Sequence, residues 1–122
     1  MGYKEYINII HKLLSKTTAA IFIDQFEIFF SAEERENEWV LSTRFFSSRK
    51  NLPRDMREAF SNVKTLRLNS KNLYLREDEE TGEIYFSKKI PSLDRYPFFR
   101  RYLTEYIDEM KDWKALLENL AI

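Results

Sequence analysis

Cysteine is absent from this 122-residue chain, histidine occurs once, glycine twice and proline three times. Without cysteine there is no disulfide, no thiolate metal site and no cysteine nucleophile, a composition that suits a reducing compartment. Gly2 and Gly82 are the only glycines, so no glycine-rich loop can cradle a phosphate, which argues against a nucleotide-dependent enzyme. Net charge is lacking as well. Lys plus Arg and Asp plus Glu stand at 20 each, leaving no whole-molecule field to draw nucleic acid or an anionic membrane. No apolar run approaches the roughly 18 residues that span a bilayer. The N-terminus also lacks the basic region, apolar core and small-residue cleavage site of a signal peptide. The expectation is a cytoplasmic protein with no membrane span.

The same scarcity runs through the candidate chemistry. His11, the single histidine, falls inside a helical pattern with no announced nucleophile beside it, and reads as a surface or half-buried helix residue. No His pair, and no His with a carboxylate four residues on, offers a transition-metal site. The run Glu77-Asp78-Glu79-Glu80 has oxygens enough for calcium. It lacks the alternating ligands and central Gly of an EF-hand loop, and reads as a solvated hairpin tip. No catalytic, cofactor-binding or metal-binding residue is therefore assigned, and the chain is expected not to be an enzyme.

What is abundant is aromatic surface. Ten Phe, seven Tyr and two Trp make 16% of a chain sized for one domain, here residues 1–122. Either they fill one core with some Tyr on the surface, or part of them is buried in a dimer interface or partner groove.

The most organised stretch is residues 72–113. It reads as a strand at 73–77, a polar turn at 78–82 in which Gly82 supplies positive φ, and a strand from Glu83, with 85–90 as the last strand. A long amphipathic helix, entered through Pro91 and Pro97, follows. Phe99, Leu103, Tyr106, Met110, Trp113, Leu117 and Leu120 step by four and three alternately, which keeps them on one face. Tyr102, Ile107 and Leu116 widen that stripe, so it suits packing on a sheet better than a narrow coiled-coil seam.

Upstream, Tyr3, Tyr6, Ile7, Ile10, Leu13 and Leu14 form the apolar side of a first helix that ends near Lys12 and Lys16; Thr17-Thr18 then favours a change to strand. Residues 19–31 are strongly apolar. Phe22, Phe26, Ile28 and Phe30 share one parity, while Asp24-Gln25 leaves open a split into two short strands at 20–23 and 26–30. The polar cluster 33–38 connects to a strand at 39–46 that pairs antiparallel with the first. Pro53 opens a middle helix over about 52–61, with Met56, Ala59 and Phe60 as its stripe. Leu66 and Leu68, then Leu73 and Leu75, alternate on either side of a turn or bulge at 69–72.

The fold class is therefore α+β, in the order α-β-β(-β)-α-β-β-α, with an antiparallel sheet packed against N- and C-terminal helices. Two basic-aromatic patches, 44–54 and 95–102, carry Arg49, Lys50, Arg54, Arg95, Arg100 and Arg101. They have the ingredients of single-strand nucleic-acid binding or of a regulatory module. The neutral total charge and the core-facing position of Phe99 favour a solvated flank beside core aromatics.

The order of elements, the segment at 26–30, Leu52-Pro53, the hairpin around 80–83, Ile90-Pro91 with Leu93-Asp94, and Trp113 near the end of the closing helix carry a resemblance. The chain resembles the small class I chaperones of bacterial type III secretion systems and, more loosely, YbjN-type domains. That family places three strands between its first two helices, which this chain matches if the 20–30 run is split. The resemblance implies a homodimer without enzymatic activity that holds an extended segment of a secreted effector in apolar grooves. It implies groove or sheet-face positions at Phe22, Ile28, Phe30, Trp39 and Leu41, and a dimer interface that maps to Met56, Phe60, Leu66 and Leu68.

Overall fold

The structure, a computed structural model, describes residues 2–16, 18–33, 38–68, 72–91 and 95–120. Thr17, the connection at 34–37, the turn at 69–71 and the Leu93-Asp94 part of the proline-containing entry lie outside the described residues. In chain order the elements are α1 Tyr3–Lys16, β1 Thr18–Ile23, β2 Phe26–Glu33 and β3 Glu38–Phe46. A 3-10 turn at Arg49–Asn51 leads to α2 Arg54–Ala59, followed by β4 Thr65–Arg67, β5 Leu73–Glu77, β6 Ile84–Pro91 and α3 Tyr96–Leu120. The strands form one antiparallel sheet in the order β1-β2-β3-β6-β5-β4. Two three-stranded meanders thus join at the centre through β3 and β6. The α+β fold with flanking helices is as expected; three strands stand on each side of α2, one more after it than the expected order, because Thr65–Arg67 pairs with β5 as a strand of its own.

The apolar run after α1 splits at Asp24-Gln25. Both residues have positive φ, 50° and 72°, as a two-residue hairpin turn with the twist of the flanking strands requires. The split has a consequence for parity. Ile23 faces Phe26 across the turn and Phe22 faces Glu27, so even-numbered residues point one way before the turn and the other way after it. Phe26, Ile28 and Phe30 face the helices, and Phe22, which sequence parity grouped with them, faces solvent.

The helix-facing side of the sheet is the core. Ile28, Phe30, Trp39, Leu41, Leu73, Leu75, Ile84, Phe86 and Ile90 are buried there, against Tyr6, Ile9 and Leu13 of α1 and Phe99, Leu103, Tyr106, Met110 and Leu117 of α3. Phe99 is the centre of an aromatic cluster, with ring centroids 5.0 Å from Tyr6, 5.7 Å from Phe30 and 5.9 Å from Trp39. Each such fully buried side chain contributes about 1.5–3 kcal/mol of transfer free energy. Towards the end of α3 Leu117 is still completely buried, while Trp113 is half-buried and Leu116 and Leu120 are exposed. Pro91 closes β6 opposite Glu38, so only Pro97 lies in the helix, in its first turn.

Between Arg44 and Phe46 the β3–β6 register shifts by one residue. Alternation with Leu41 and Thr43 points Phe45 inward to stack on Phe86 at 4.9 Å and 7°, and the bulge brings Phe46, opposite Ile84, to the same side. The middle helix is shorter than its sequence suggests. Leu52 and Phe60, just outside its ends, are both 2% exposed, and they anchor the segment while Met56 stays half-buried.

The polar groups described on the core side have partners. The Thr43 hydroxyl and the Tyr106 phenol are 2.7 Å apart, and Tyr106 also donates to the Phe86 carbonyl at 3.3 Å. Burial holds the phenol far above its ordinary pKa, with the Thr43 bond a smaller, opposing influence. Lys88 of β6 pairs with Glu109 of α3. Glu77, at the end of β5, accepts two bonds of 2.8 Å from the Arg49 guanidinium, a bidentate pair that ties the 3-10 turn to the sheet.

Candidate functional site

Both long helices lie on one side of the sheet, and the other side is open. Its relief follows from the cross-strand register. Ala20, Phe29, Ser42, Ser87, Tyr74 and Arg67 stand opposite one another in turn across all six strands. The two central places hold the smallest polar side chains, and the places beside them hold rings. Small residues between large ones leave a hollow, here a cavity of about 450 Å³ lined by Phe29, Ser31, Val40, Ser42, Tyr74, Arg76 and Tyr85, with Thr18 at the β1 end. Ser42 lines it, and its hydroxyl is 2.9 Å from that of Ser87, which lies beneath the lining and is completely buried although no helix covers this face.

The walls are held by aromatic and ionic contacts. Phe29 meets Tyr85 edge-on at 6.3 Å, and the Arg76 guanidinium lies over the Tyr85 ring at 5.0 Å. Burial and the neighbouring Glu83 carboxylate raise the Tyr85 pKa. A second hollow, of about 370 Å³, shares Phe29 and Tyr85 with the first and runs on to Phe22, Glu27 and Arg44. Arg44 donates to Glu83 at 2.8 Å. That bond, followed by one from Thr81, holds the Glu83 carboxyl below its ordinary value. At the hairpin tip, Asp78 accepts the backbone N–H groups of Glu80 at 2.9 Å and Thr81 at 3.0 Å, which lowers its pKa. The acidic tip is thus a self-satisfied turn, with Gly82 at φ 75°.

The outer edge of β1 pairs with nothing among the described residues, because β1 bonds only to β2. In a two-residue hairpin the closing pair, here Ile23 and Phe26, exchanges both backbone bonds, and alternate residues then point their N–H and C=O groups outward. On β1 these are Phe22, Ala20 and Thr18, whose side chains also face the open side. Phe22 is 74% exposed and Phe29 36%.

Of the positions that the chaperone resemblance marked as groove or sheet-face, Phe22 is on this open face. Ile28, Phe30, Trp39 and Leu41 are all on the opposite face at 7% exposure or less, covered by α1 and α3, so in this chain they are core. Met56, Leu66 and Leu68 are half-buried around α2 and β4, beside exposed Val63, whereas Phe60 is buried. Sequence reading passed over Phe29, Ser42, Tyr74, Arg76, Tyr85 and Ser87. Their signal was an aromatic of opposite parity to its apolar neighbours, and small polar residues at strand centres. The basic-aromatic patches are largely committed within the chain. Arg44, Arg49 and Arg54 pair with Glu83, Glu77 and Glu58, and the Arg101 guanidinium lies 5.5 Å from the Phe98 and Tyr102 rings. Among the described residues no cluster of three metal-ligating side chains forms, and no helix is long and apolar enough to cross a membrane.

No known protein family and no curated protein matches the sequence. Among solved structures, the chain is similar to one in the HopA1–SchA chaperone–effector complex, with 19% identity and TM-score 0.58 over 83% of this chain and 77% of that one. It is also similar to a chain of the ExsC–ExsE complex, with 14% identity and TM-score 0.56 over 96% and 97% of the two chains. The chain has a class I type III secretion chaperone-like fold. At such identities the likeness is one of fold, and the side chains that would touch a partner are this protein's own. On this chaperone-like fold, three strands precede α2 because Asp24-Gln25 makes the turn that divides the first apolar run.

Proposed function

We propose that this is a non-enzymatic binding protein, a chaperone that keeps an extended segment of a partner, a secreted effector, soluble before export. It would act as a homodimer in the cytoplasm. The observation that carries the reading is an open, aromatic-rich sheet face beside an unpaired edge strand. The outward backbone groups of Thr18, Ala20 and Phe22 offer partners for strand addition, and the adjoining hollows take side chains of the added segment. An exposed Phe22 on an edge strand is an aggregation liability in a chain with no partner, and an asset in one that has a partner. The fold likeness to a chain of a chaperone–effector complex supports the same role. For the dimer, the supporting surface is the patch of Met56, Val63, Leu66 and Leu68 next to β4, whose outer edge is likewise unpaired among the described residues. Phe60 would support this patch from beneath.

The test is capture of partners from the native cytosol by the tagged protein and by Phe22→Lys, with the complexes sized by light scattering. The expected result is a dimer that holds one dominant protein through a short segment, with affinity reduced at least about tenfold in the variant, since exposed aromatic anchors carry a large share of interface energy. A bare monomer, or one that retains nucleic acid until salt is raised, would sink the proposal and favour the module built on Arg95 and Arg100.

A further inference from the structure

The hollow on the open face holds more hydrogen-bonding capacity than a pocket for aliphatic side chains needs. Ser42 and Ser87 are both at least nine-tenths buried, and the bond between their hydroxyls uses one of their two protons. Of the two only Ser42 lines the hollow, so it is Ser42 that offers the pair's remaining capacity there, and Ser31 adds a second serine hydroxyl to the lining. Phe29, Tyr74 and Tyr85 line its walls. A phenyl or aliphatic side chain placed here would cover the Ser42 and Ser31 hydroxyls and return no bond. A carboxylate would meet Asp78, which already sits 3.8 Å from the Arg76 guanidinium and offsets its charge. A flat ring with a polar tip satisfies both floor and walls.

We propose that this hollow receives the phenol ring of a tyrosine in the bound segment, its hydroxyl bonded to Ser42 and its ring against Phe29 and Tyr85. The proposal deepens the chaperone reading and rests on it for the source of the ring. Strand spacing constrains where in the segment that tyrosine lies. A strand added outside β1 stands three spacings, about 14 Å, from β3, farther than a tyrosine side chain reaches. The ring therefore comes from chain that crosses the open face, about four extended residues beyond the paired stretch.

The experiment is an amide NMR titration of the whole protein with N-acetyl-tyrosinamide and N-acetyl-phenylalaninamide. The tyrosine probe should shift the signals of Ser31, Ser42, Tyr74 and Tyr85 and bind about fivefold tighter than its phenylalanine counterpart, the value of one hydrogen bond. Ser42→Ala should equalise the two probes while leaving signals elsewhere unchanged, and Ser42→Cys, a weaker hydrogen-bonding group of similar size, should narrow the preference if the first variant folds poorly. Ser42→Leu, which covers the floor of the hollow and removes its hydroxyl, should abolish the preference and weaken both. Equal binding of the two probes by the natural protein, shifts centred elsewhere, or an undiminished preference in the Ser42 variants would overturn the inference. A partner captured with undiminished affinity by Ser42→Ala would also overturn it while leaving the chaperone reading in place, whereas that reading fails on the Phe22→Lys capture experiment.

Discussion

Replacing Tyr106 with Phe removes one oxygen atom from the centre of the core, and its cost can be worked from the geometry. Tyr106 is completely buried and Thr43 is 2% exposed, so water cannot take the place of a lost partner. In Tyr106→Phe the Thr43 hydroxyl loses its bond of 2.7 Å and the Phe86 carbonyl loses one of 3.3 Å. Leaving a buried polar group without its partner costs about 1–3 kcal/mol, and about 2 kcal/mol is expected here. Thr43→Val alone costs less, about 1 kcal/mol, because the phenol keeps the Phe86 carbonyl. With both changes made, the apolar pair leaves no stranded hydroxyl, and the double variant should be no less stable than Tyr106→Phe. The cycle should therefore show a coupling of about 1 kcal/mol. Urea unfolding followed by circular dichroism reads this as a midpoint about 1 M lower for Tyr106→Phe, taking a slope of about 2 kcal/mol/M. All four proteins must be at one concentration, because the midpoint of a dimer moves with concentration. Strict additivity of the two changes would refute the shared bond.

Glu109→Ala should cost about 3 kcal/mol because it leaves Lys88 charged and buried, whereas Lys88→Met should lie within about 1 kcal/mol of the natural protein; equal losses in urea midpoints would contradict this. Gly82→Ala should cost about 1 kcal/mol from the left-handed backbone alone, since an added Cβ there meets nothing within 4 Å. Gly82→Asn should recover part of the loss, and a larger loss would point to a contact at the tip. Asp24, bonded to Lys111, together with Asp78 and Glu83, has a carboxyl held below its ordinary pKa. Their stabilisation is fully present above the ordinary carboxylate range, about pH 4, and is lost as pH falls through the depressed values. All three are solvent-facing, so a thermal-melt series in acid should show a modest decline that salt reduces; a decline beginning near neutral pH would exclude them as its source.

The sequence and the tertiary structure divide the fold between them along physical lines. The long helix was legible because its apolar residues repeat every three and four positions over many turns, and Phe99, Leu103, Tyr106, Met110 and Leu117 are its buried face. The β5–β6 hairpin was legible because Gly82 marks its turn. The β1–β2 turn was harder to read: Asp24-Gln25 lacks glycine, and only the strand pairing forces both residues to positive φ. That single uncertainty misassigned Phe22, since an inserted turn inverts parity. The bulge at Phe45 has no local sequence signature, because it depends on the register with β6.

Composition and periodicity by themselves determined the class: an α+β domain with sided helices and more aromatic surface than charge can explain. They could do so because helical and strand periods are local properties of the chain. Which face of the sheet the helices cover, and therefore that Ile28, Phe30, Trp39 and Leu41 are core while Phe22 and Phe29 are open, was decided by the tertiary structure. So was the hollow, because Ser42 and Ser87 are 45 residues apart in sequence and become neighbours only when β3 and β6 pair at the centre of the sheet.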